Sequence, residues 1–318
     1  MSSGEAAGRQ AAGGRAVAVP GADADAARTR VGAGRPAGGM AARIGRAVAR
    51  GPLNLLMLVL AAMWLVPTLG LLFTSLLPAS EITTRGWWNV IARPSVATWD
   101  NYRAIFDNEA ITRALWTTVQ IAVLNTVLLV VVAALAGYAF AWLRFPGRDW
   151  LFVLVIGLLV VPLQIALIPI FSLYNDAGLF DTVLGLVLFH VAFGLPFGIF
   201  LMRNFFAGIP RDILESARID GASELRIFVR LILPLGLPAI ASLAIFQFLW
   251  TWNDLIVALT FARDTQPLTV AIFTQTRQFG TNIDLIAPAA FLSLAIPLLV
   301  FLAFQRYFVQ GMLAGSVK

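Results

Sequence analysis

The sequence predicts an all-α membrane protein with six transmembrane helices, and three observations carry that prediction. Hydrophobic residues make up 59% of the chain and charged residues 13%, against roughly 45–50% and 25% in soluble domains. Six stretches nearly free of charge exceed the roughly 18 residues that read as membrane-spanning. The basic residues also alternate in density from one connecting segment to the next, as they do when successive loops lie on opposite sides of a membrane.

The elements follow in order. Residues 1–52 are rich in Ala, Gly and Arg and carry almost no aliphatic bulk, so they cannot bury enough apolar surface to offset ordering; a disordered cytoplasmic tail is expected. No apolar segment precedes the first span, so no cleaved signal peptide is expected. The six-span domain occupies 53–310, with spans at about 53–77, 116–142, 150–173, 183–202, 235–262 and 286–305. The third contains Pro162 and Pro169 and the fourth Gly194 and Pro196, which spanning helices tolerate when packed against neighbours. Residues 311–318 form a short tail. Of the 23 Lys and Arg residues, 17 fall on the side that holds both termini and the segment 203–234, and six on the other. The first side is therefore expected to be cytoplasmic.

The segment 203–234 is the polar insert between the fourth and fifth spans, and it reads as two half-helices joined by a glycine turn. Pro210 suits a first helical position, where its missing N–H costs nothing. Arg211 to Ile219 make about two turns. Gly221 stands where the chain leaves the helix, with positive φ expected, and Ser223 can cap a second helix through Leu225, Phe228, Val229 and Ile232. Small residues at the elbow (Ala217, Gly221 and Ala222) would let it seat closely in another protein's cleft. On shape alone, an ordinary amphipathic loop fits as well.

Several chemistries are excluded. The one lysine is Lys318, so no glycine-rich phosphate loop with its Lys is present. One histidine and no cysteine exclude the common zinc sites and Cys–His nucleophiles; no metal site and no catalytic residue are expected. Energised work would need a partner or an ion gradient. The net charge of +6 is accounted for by topology and gives no reason to invoke nucleic acid.

Polar residues inside the spans are the candidates for a transport path. Asp254, after Trp252 and Asn253, would cost about 2.5–3.5 kcal/mol near mid-membrane, so it should face a cavity or another subunit. A packing role for Asn253 with an interfacial Asp254 fits equally. Gln247, seven residues earlier, can share a helical face with Asp254. Gln164 lies between Pro162 and Pro169, and His190 near Gly194 and Pro196, where broken helix geometry exposes polar groups; packing is the commoner role for a lone histidine. Trp250 and Trp252 could stack on a pyranose ring or belong to an interfacial belt.

Glu215-Ser216-Ala217-x-x-Asp220-Gly221-Ala222, with Phe228 and Leu233-Pro234 downstream, resembles the coupling signature of ABC-importer permease subunits. Asn101-Tyr102, Pro162-x-Gln164, Ile168-Pro169, Leu195-Pro196-Phe197 and Trp252-Asn253-Asp254 resemble the maltose-type carbohydrate permeases. So does the ending Gln305-Arg306-Tyr307-Phe308 through Gly311, Ala314-Gly315 and Val317-Lys318. The likeness covers about 53–318. It implies the type I ABC importer permease fold and a chain that is not itself an enzyme. It further implies a homologous second permease subunit, two ATP-binding subunits that bind ATP and magnesium, an extracytoplasmic sugar-binding protein and no cofactor in this chain. Glu215, Ala217, Asp220, Gly221 and Ala222 would then engage the ATPase, and Gly311, Gly315 and Lys318 would reach toward it. The cargo would be a sugar, an oligosaccharide such as an α-glucoside, crossing a prokaryotic cytoplasmic membrane. Two rivals remain at this stage: a secondary transporter using Asp254 or His190 as an ion site, and a structural or sensory subunit that moves nothing.

Overall fold

A computed structural model describes residues 40–278 and 283–316, with side chains at 51–276 and 283–306. Among these residues every regular element is helical. The chain divides into two compact units, Met1–Trp64 and Leu65–Lys318. The described part of the first unit is the opening of helix α1 (Met40–Ser75). Of the expected tail of 1–52, residues 1–39 lie outside the described residues, and residues 40–52 belong to α1. Ala41, Ala42, Arg43, Arg46, Ala47 and Ala49 are strong helix formers, and lengthening an existing helix needs no new nucleus.

The second unit continues through α2 (Ala79–Arg85), α3 (Asn89–Ala92), a 3₁₀ turn and α4 (Asp100–Asp107). Asn101 ties this connection down by donating from Nδ2 to the carbonyls of Ser75 (3.0 Å) and Leu77 (2.8 Å), and Tyr102 shares a hydrogen bond with the Ser75 hydroxyl. The carbonyls after the last turn of α1 are thereby satisfied. Asn108 then caps α5 (Glu109–Trp142), its Oδ1 accepting from the N–H groups of Ala110 and Ile111.

The third predicted span is not one helix. It is α6 (Arg148–Leu158) and α7 (Leu163–Asp176), bent by 100° across the intervening residues. Pro162 removes an N–H, and its ring disfavours helical geometry at Val161. α8 (Val183–Ala207) follows, started by Thr182, whose hydroxyl accepts from Gly185 N. Then come α9 (Arg211–Ile219), α10 (Glu224–Ile227), a π-helical turn over Phe228–Ile232 and α11 (Leu233–Trp252). The fifth span also departs from expectation: α11 stops at Trp252, and a separate α12 (Ile256–Phe261) follows. α13 (Leu268–Gln278) and α14 (Ile283–Ser316) complete the chain. Among the described residues, five helical stretches are long and apolar enough to cross a membrane, or six with the bent pair counted as one.

The core centres on α5 against α8, with α11 packed on both and on α14. Leu129, Met202, Phe206 and Leu243 are fully buried there. Gly137 lets α5 and α8 approach closely, a Cβ there lying 2.5 Å from Met202 Cβ and 2.9 Å from Arg203 N. Gly194 is as tight against side chains, a Cβ there lying 2.3 Å from Leu129 Cδ1 and 2.8 Å from Gln247 Nε2. Small residues at spanning interfaces allow backbones this close. Many other apolar side chains, among them Trp150, Val160, Ile165 and Ile168, point outward, as required of surfaces that meet lipid or a neighbouring subunit.

At the end of α8 remote from α9, Asp181 joins two loops. Its carboxylate accepts from the backbone N–H groups of Arg263 (2.8 Å), Asp264 (2.9 Å) and Thr265 (2.8 Å), while its own N–H donates to Phe261 O. This wrapping requires φ of +55° at Asp181, a conformation that Asp tolerates better than most residues. Burial opposes ionisation of the carboxyl, but the three backbone donors and the Thr265 hydroxyl outweigh it and hold Asp181 below the usual carboxylate range. The depressed value means that the clip stabilises fully above the unfolded-state value of about 3.9 and loses that contribution as pH falls through the folded-state value. Asp181→Ala should cost about 2 kcal/mol at neutral pH, with the gap from wild type closing in acid. Thermal unfolding measured across pH checks both parts.

Candidate functional site

Two constellations lie at different depths. The first is the elbow of α9 and α10. The three residues of α9 that precede the elbow's apolar anchor are exposed, and Leu214 alone turns fully inward. Ala217 and Ala222 also pack against the core, and Ala222 N donates to Ala217 O across the turn. The small residues thus close the elbow onto its own protein, and the outward surface is made by others. Ile219 is 87% and Leu225 68% exposed, and Glu215 and Asp220 are exposed beside them. Pro210 is the N-cap of α9, one residue before the helical start expected for it, and Asp220 is its C-cap. Gly221 has φ of +77°, with open space where a Cβ would stand. Ser223 occupies the N-cap of α10 but makes no side-chain capping bond.

The groups that hold the elbow are ones the sequence pattern does not single out. Arg218 Nε donates to Glu224 Oε1 at 2.8 Å, and Nη2 to Oε2 at 3.3 Å. Tyr138, near the end of α5, donates its hydroxyl to the same Glu224 Oε2, and its ring lies 5.2 Å from that of Phe228. The hydrogen bonds to Glu224 raise the proton affinity of Arg218 above its ordinary value, burial opposing them in part. Tyr138 and Glu224 are 86 residues apart in sequence, so no local spacing could reveal the pair.

The second constellation lies between α5, α8 and the end of α11. Asp254 Oδ2 stands 3.5 Å from His190 Nε2. The Asp254 carboxylate also accepts from Val257 N (3.3 Å) and Ala258 N (3.1 Å), and its carbonyl accepts from the Thr269 hydroxyl. It therefore satisfies the start of α12 from one residue before the N-cap while reaching α8 and α13. His190 is buried beside this carboxylate. His190, Asp254, Thr118 and Thr251 line a cavity of about 10 Å³.

Because α11 ends at Trp252, Gln247 and Asp254 do not share one continuous helical face. Gln247 is buried against Gly194. Asn253 is exposed and donates from Nδ2 to Leu249 O, covering the helix end. Trp252 is 1% exposed and donates to Ser293 O, so it packs in the core and is not free to stack on a ligand. Gln164 is exposed at the start of α7, apart from the other candidates. The structure adds Asn125, fully buried, with Nδ2 donating to the Thr251 hydroxyl at 2.6 Å. Asn125 Oδ1 and Gln247 Oε1 are buried oxygens without a hydrogen-bond partner, an arrangement that costs about 1–3 kcal/mol each in a purely structural core. Among the described residues no group of acidic or histidine side chains could hold a metal ion. Gly311 and Gly315 fall in the last turns of α14, whose side chains are not described beyond residue 306, and Lys318 lies outside the described residues.

Comparison with known proteins supplies the context. Residues 130–314 match the family described as binding-protein-dependent transport system inner membrane component. The chain is 45% identical over 273 residues to the osmoprotective compounds uptake permease protein GgtD of Synechocystis sp., covering 84% of this chain and 92% of that one. It is 49% identical over 233 residues to the alpha-glucoside transport system permease protein AglG of Rhizobium meliloti, covering 71% of this chain and 61% of the relative. The trehalose transport system permease protein SugB of Mycobacterium tuberculosis is 38% identical over 80% of this chain and 92% of its own length. Among solved structures, a bacterial ABC transporter involved in the import of the acidic polysaccharide alginate aligns with a TM-score of 0.69 at 21% identity, over 83% of this chain and 98% of that one. A second structure of a bacterial alginate ABC transporter, in complex with an alginate pentasaccharide-bound periplasmic protein, aligns at 0.60 and 16% identity over 82% and 95%. At these identities the likeness is one of fold.

Proposed function

The chain belongs to the family of binding-protein-dependent transport system inner-membrane components, and from that premise we propose that it is one permease subunit of an ATP-driven importer for an oligosaccharide. Its assembly contains a homologous second permease, two ATP-binding subunits and an extracytoplasmic sugar-binding protein. ATP and magnesium bind to the partner subunits, and this chain carries no cofactor. Both termini and the α9–α10 elbow face the cytoplasm, in line with the excess of basic residues on that side. An α-glucoside is the favoured cargo class, because relatives of high identity are named for α-glucoside and trehalose transport.

The observation that carries the reading is the elbow. It is a polar, helical projection that presents Ile219 and Leu225 to solvent between two spans, with Gly221 setting its turn. Apolar side chains presented by a short helical projection suit a groove in a partner protein. Glu215 and Asp220 fix its orientation there through charge, Gly221 permits the turn, and Ala217 and Ala222 keep the elbow seated on the spans. Gly311, Gly315 and Lys318 extend the same contact. ATP-driven closure of the partner pair moves the elbow, and the spans rock between inward and outward access. Gln164, Gln247, Asn253 and Asp254 are assigned to the substrate path. Gln164 is accessible beside the Pro162 break, while Gln247 and Asp254 lie against the α5–α8 core.

Gentle purification of the tagged protein from its native membrane tests the assembly. One homologous permease and two ATPase copies per chain, with ATP hydrolysis stimulated by a loaded sugar-binding protein, are expected. Recovery without any ATPase, under conditions that preserve other membrane complexes, would overturn the reading and point to a self-contained transporter.

A further inference from the structure

We infer that Tyr138, Glu224 and Arg218 form the joint through which the elbow drives the second span, and that they are positioning residues for transport. The inference rests on the importer reading above and assigns a role within it that touches neither ATP nor substrate.

The geometry distinguishes this joint from ordinary packing. The elbow is attached covalently only to α8, through residues 208–210, and to α11, through the π-helical turn. α5 has no chain connection to it. Movement of the elbow could therefore pass to α8 and α11 directly but reaches α5 only by contact. The polar contact is Glu224. This carboxylate stands in the first turn of α10, accepts the Tyr138 hydroxyl from α5 and receives two N–H groups of Arg218 from α9. One side chain thus holds both arms of the elbow and the second span. Phe228, 6% exposed, lies against the Tyr138 ring on the same side, so the hydroxyl is held by packing as well as by its bond.

The chemistry suits transmission of force better than a loose apolar contact would. Hydrogen bonds to an ionised carboxylate are roughly twice as strong as neutral ones and are directional. Arg218 places its planar fork on both carboxylate oxygens, fixing the plane in which Tyr138 must approach. The π-helical turn over Phe228–Ile232 begins four residues after Glu224. Such turns interrupt the regular ladder of a helix and are common at functional sites. A joint that is rigid between elbow and α5, followed at once by an irregular turn before α11, delivers motion to the second span while letting the fifth adjust its angle.

The test uses the whole importer in proteoliposomes, with uptake and ATP hydrolysis measured together. Tyr138→Phe removes one hydroxyl and keeps the ring against Phe228. It should lower uptake per ATP hydrolysed by about tenfold, the factor expected from losing one hydrogen bond to a charged group, with subunit stoichiometry unchanged. Arg218→Glu should lower the same ratio, and the exchange Arg218→Glu with Glu224→Arg should recover part of it. A Tyr138→Phe importer with the wild-type ratio would overturn the inference while leaving the importer reading intact. Failure of the wild-type chain to recover any ATPase would instead overturn the reading beneath it.

Discussion

A Gly221→Val importer is expected to assemble with its partners and still hydrolyse ATP, yet take up substrate at about a tenth of the wild-type rate or less. The reason is conformational. Gly221 sits at φ of +77°, where an L-residue costs about 1–2 kcal/mol and a β-branched one more. Space is not the obstacle, because a Cβ there would meet nothing within 4 Å. The substitution therefore acts on the angle between α9 and α10, shifting Ile219 and Leu225 relative to the spans without opening the core. Uptake and ATP hydrolysis measured on one preparation, with the subunit ratio checked beside them, test the expectation. Uptake at the wild-type rate would show that the elbow angle is not needed for coupling, and loss of the assembled complex would assign Gly221 to folding.

The opposite behaviour is expected at Gly194, where space is the whole issue. Gly194→Val would force a Cβ to 2.3 Å from Leu129 Cδ1 and 2.8 Å from the Gln247 amide, in the region where α5, α8 and α11 meet. Overpacking of this kind costs about 3 kcal/mol, so the purified complex should unfold at a markedly lower temperature and be recovered in lower amount. Leu129→Ala in the same chain should restore part of the loss by removing the colliding methyl, a coupling that residues in contact show and distant ones do not. Thermal unfolding of the single and double variants checks this. A Gly194→Val protein as stable as wild type would mean that α5 and α8 can separate at little cost.

These two positions illustrate what was legible before the fold was known. α9 occurs over Arg211–Ile219 as read from Pro210 and the glycine beyond it, because a short helix with marked ends is specified locally. The positive φ of Gly221 was legible for the same reason. Hydropathy, in contrast, records where a chain is apolar and not in which direction it runs, so the stretch 150–173 read as one span although Pro162 turns it by 100°. At the fifth span, 235–262 reads as one continuous segment with Asn253 and Asp254 inside it, facing a cavity or packing. Both residues satisfy helix ends: Asn253 covers a carbonyl of α11 and Asp254 the N–H groups of α12. The contacts that organise the candidate sites were illegible because they are long-range: Tyr138 with Glu224, Asn125 with Thr251, and Asp181 with the loop at 263–265. No spacing rule links residues 80 or more positions apart.

The bend between α6 and α7 has a consequence for the bilayer. Helices of 11 and 14 residues are about 16 and 21 Å long at 1.5 Å per residue. Bent by 100° from each other, neither arm alone reaches across the roughly 30 Å of a hydrocarbon core. The continuous helices beside them, Glu109–Trp142 and Val183–Ala207, reach about 51 and 37 Å by the same rise. Where only one arm of the pair crosses, this flank falls short of the hydrocarbon core. Such a mismatch is relieved by local thinning, by tilt or by association with another helix, and each makes the surroundings of this flank, lipid or subunit, a determinant of how far the spans can rock.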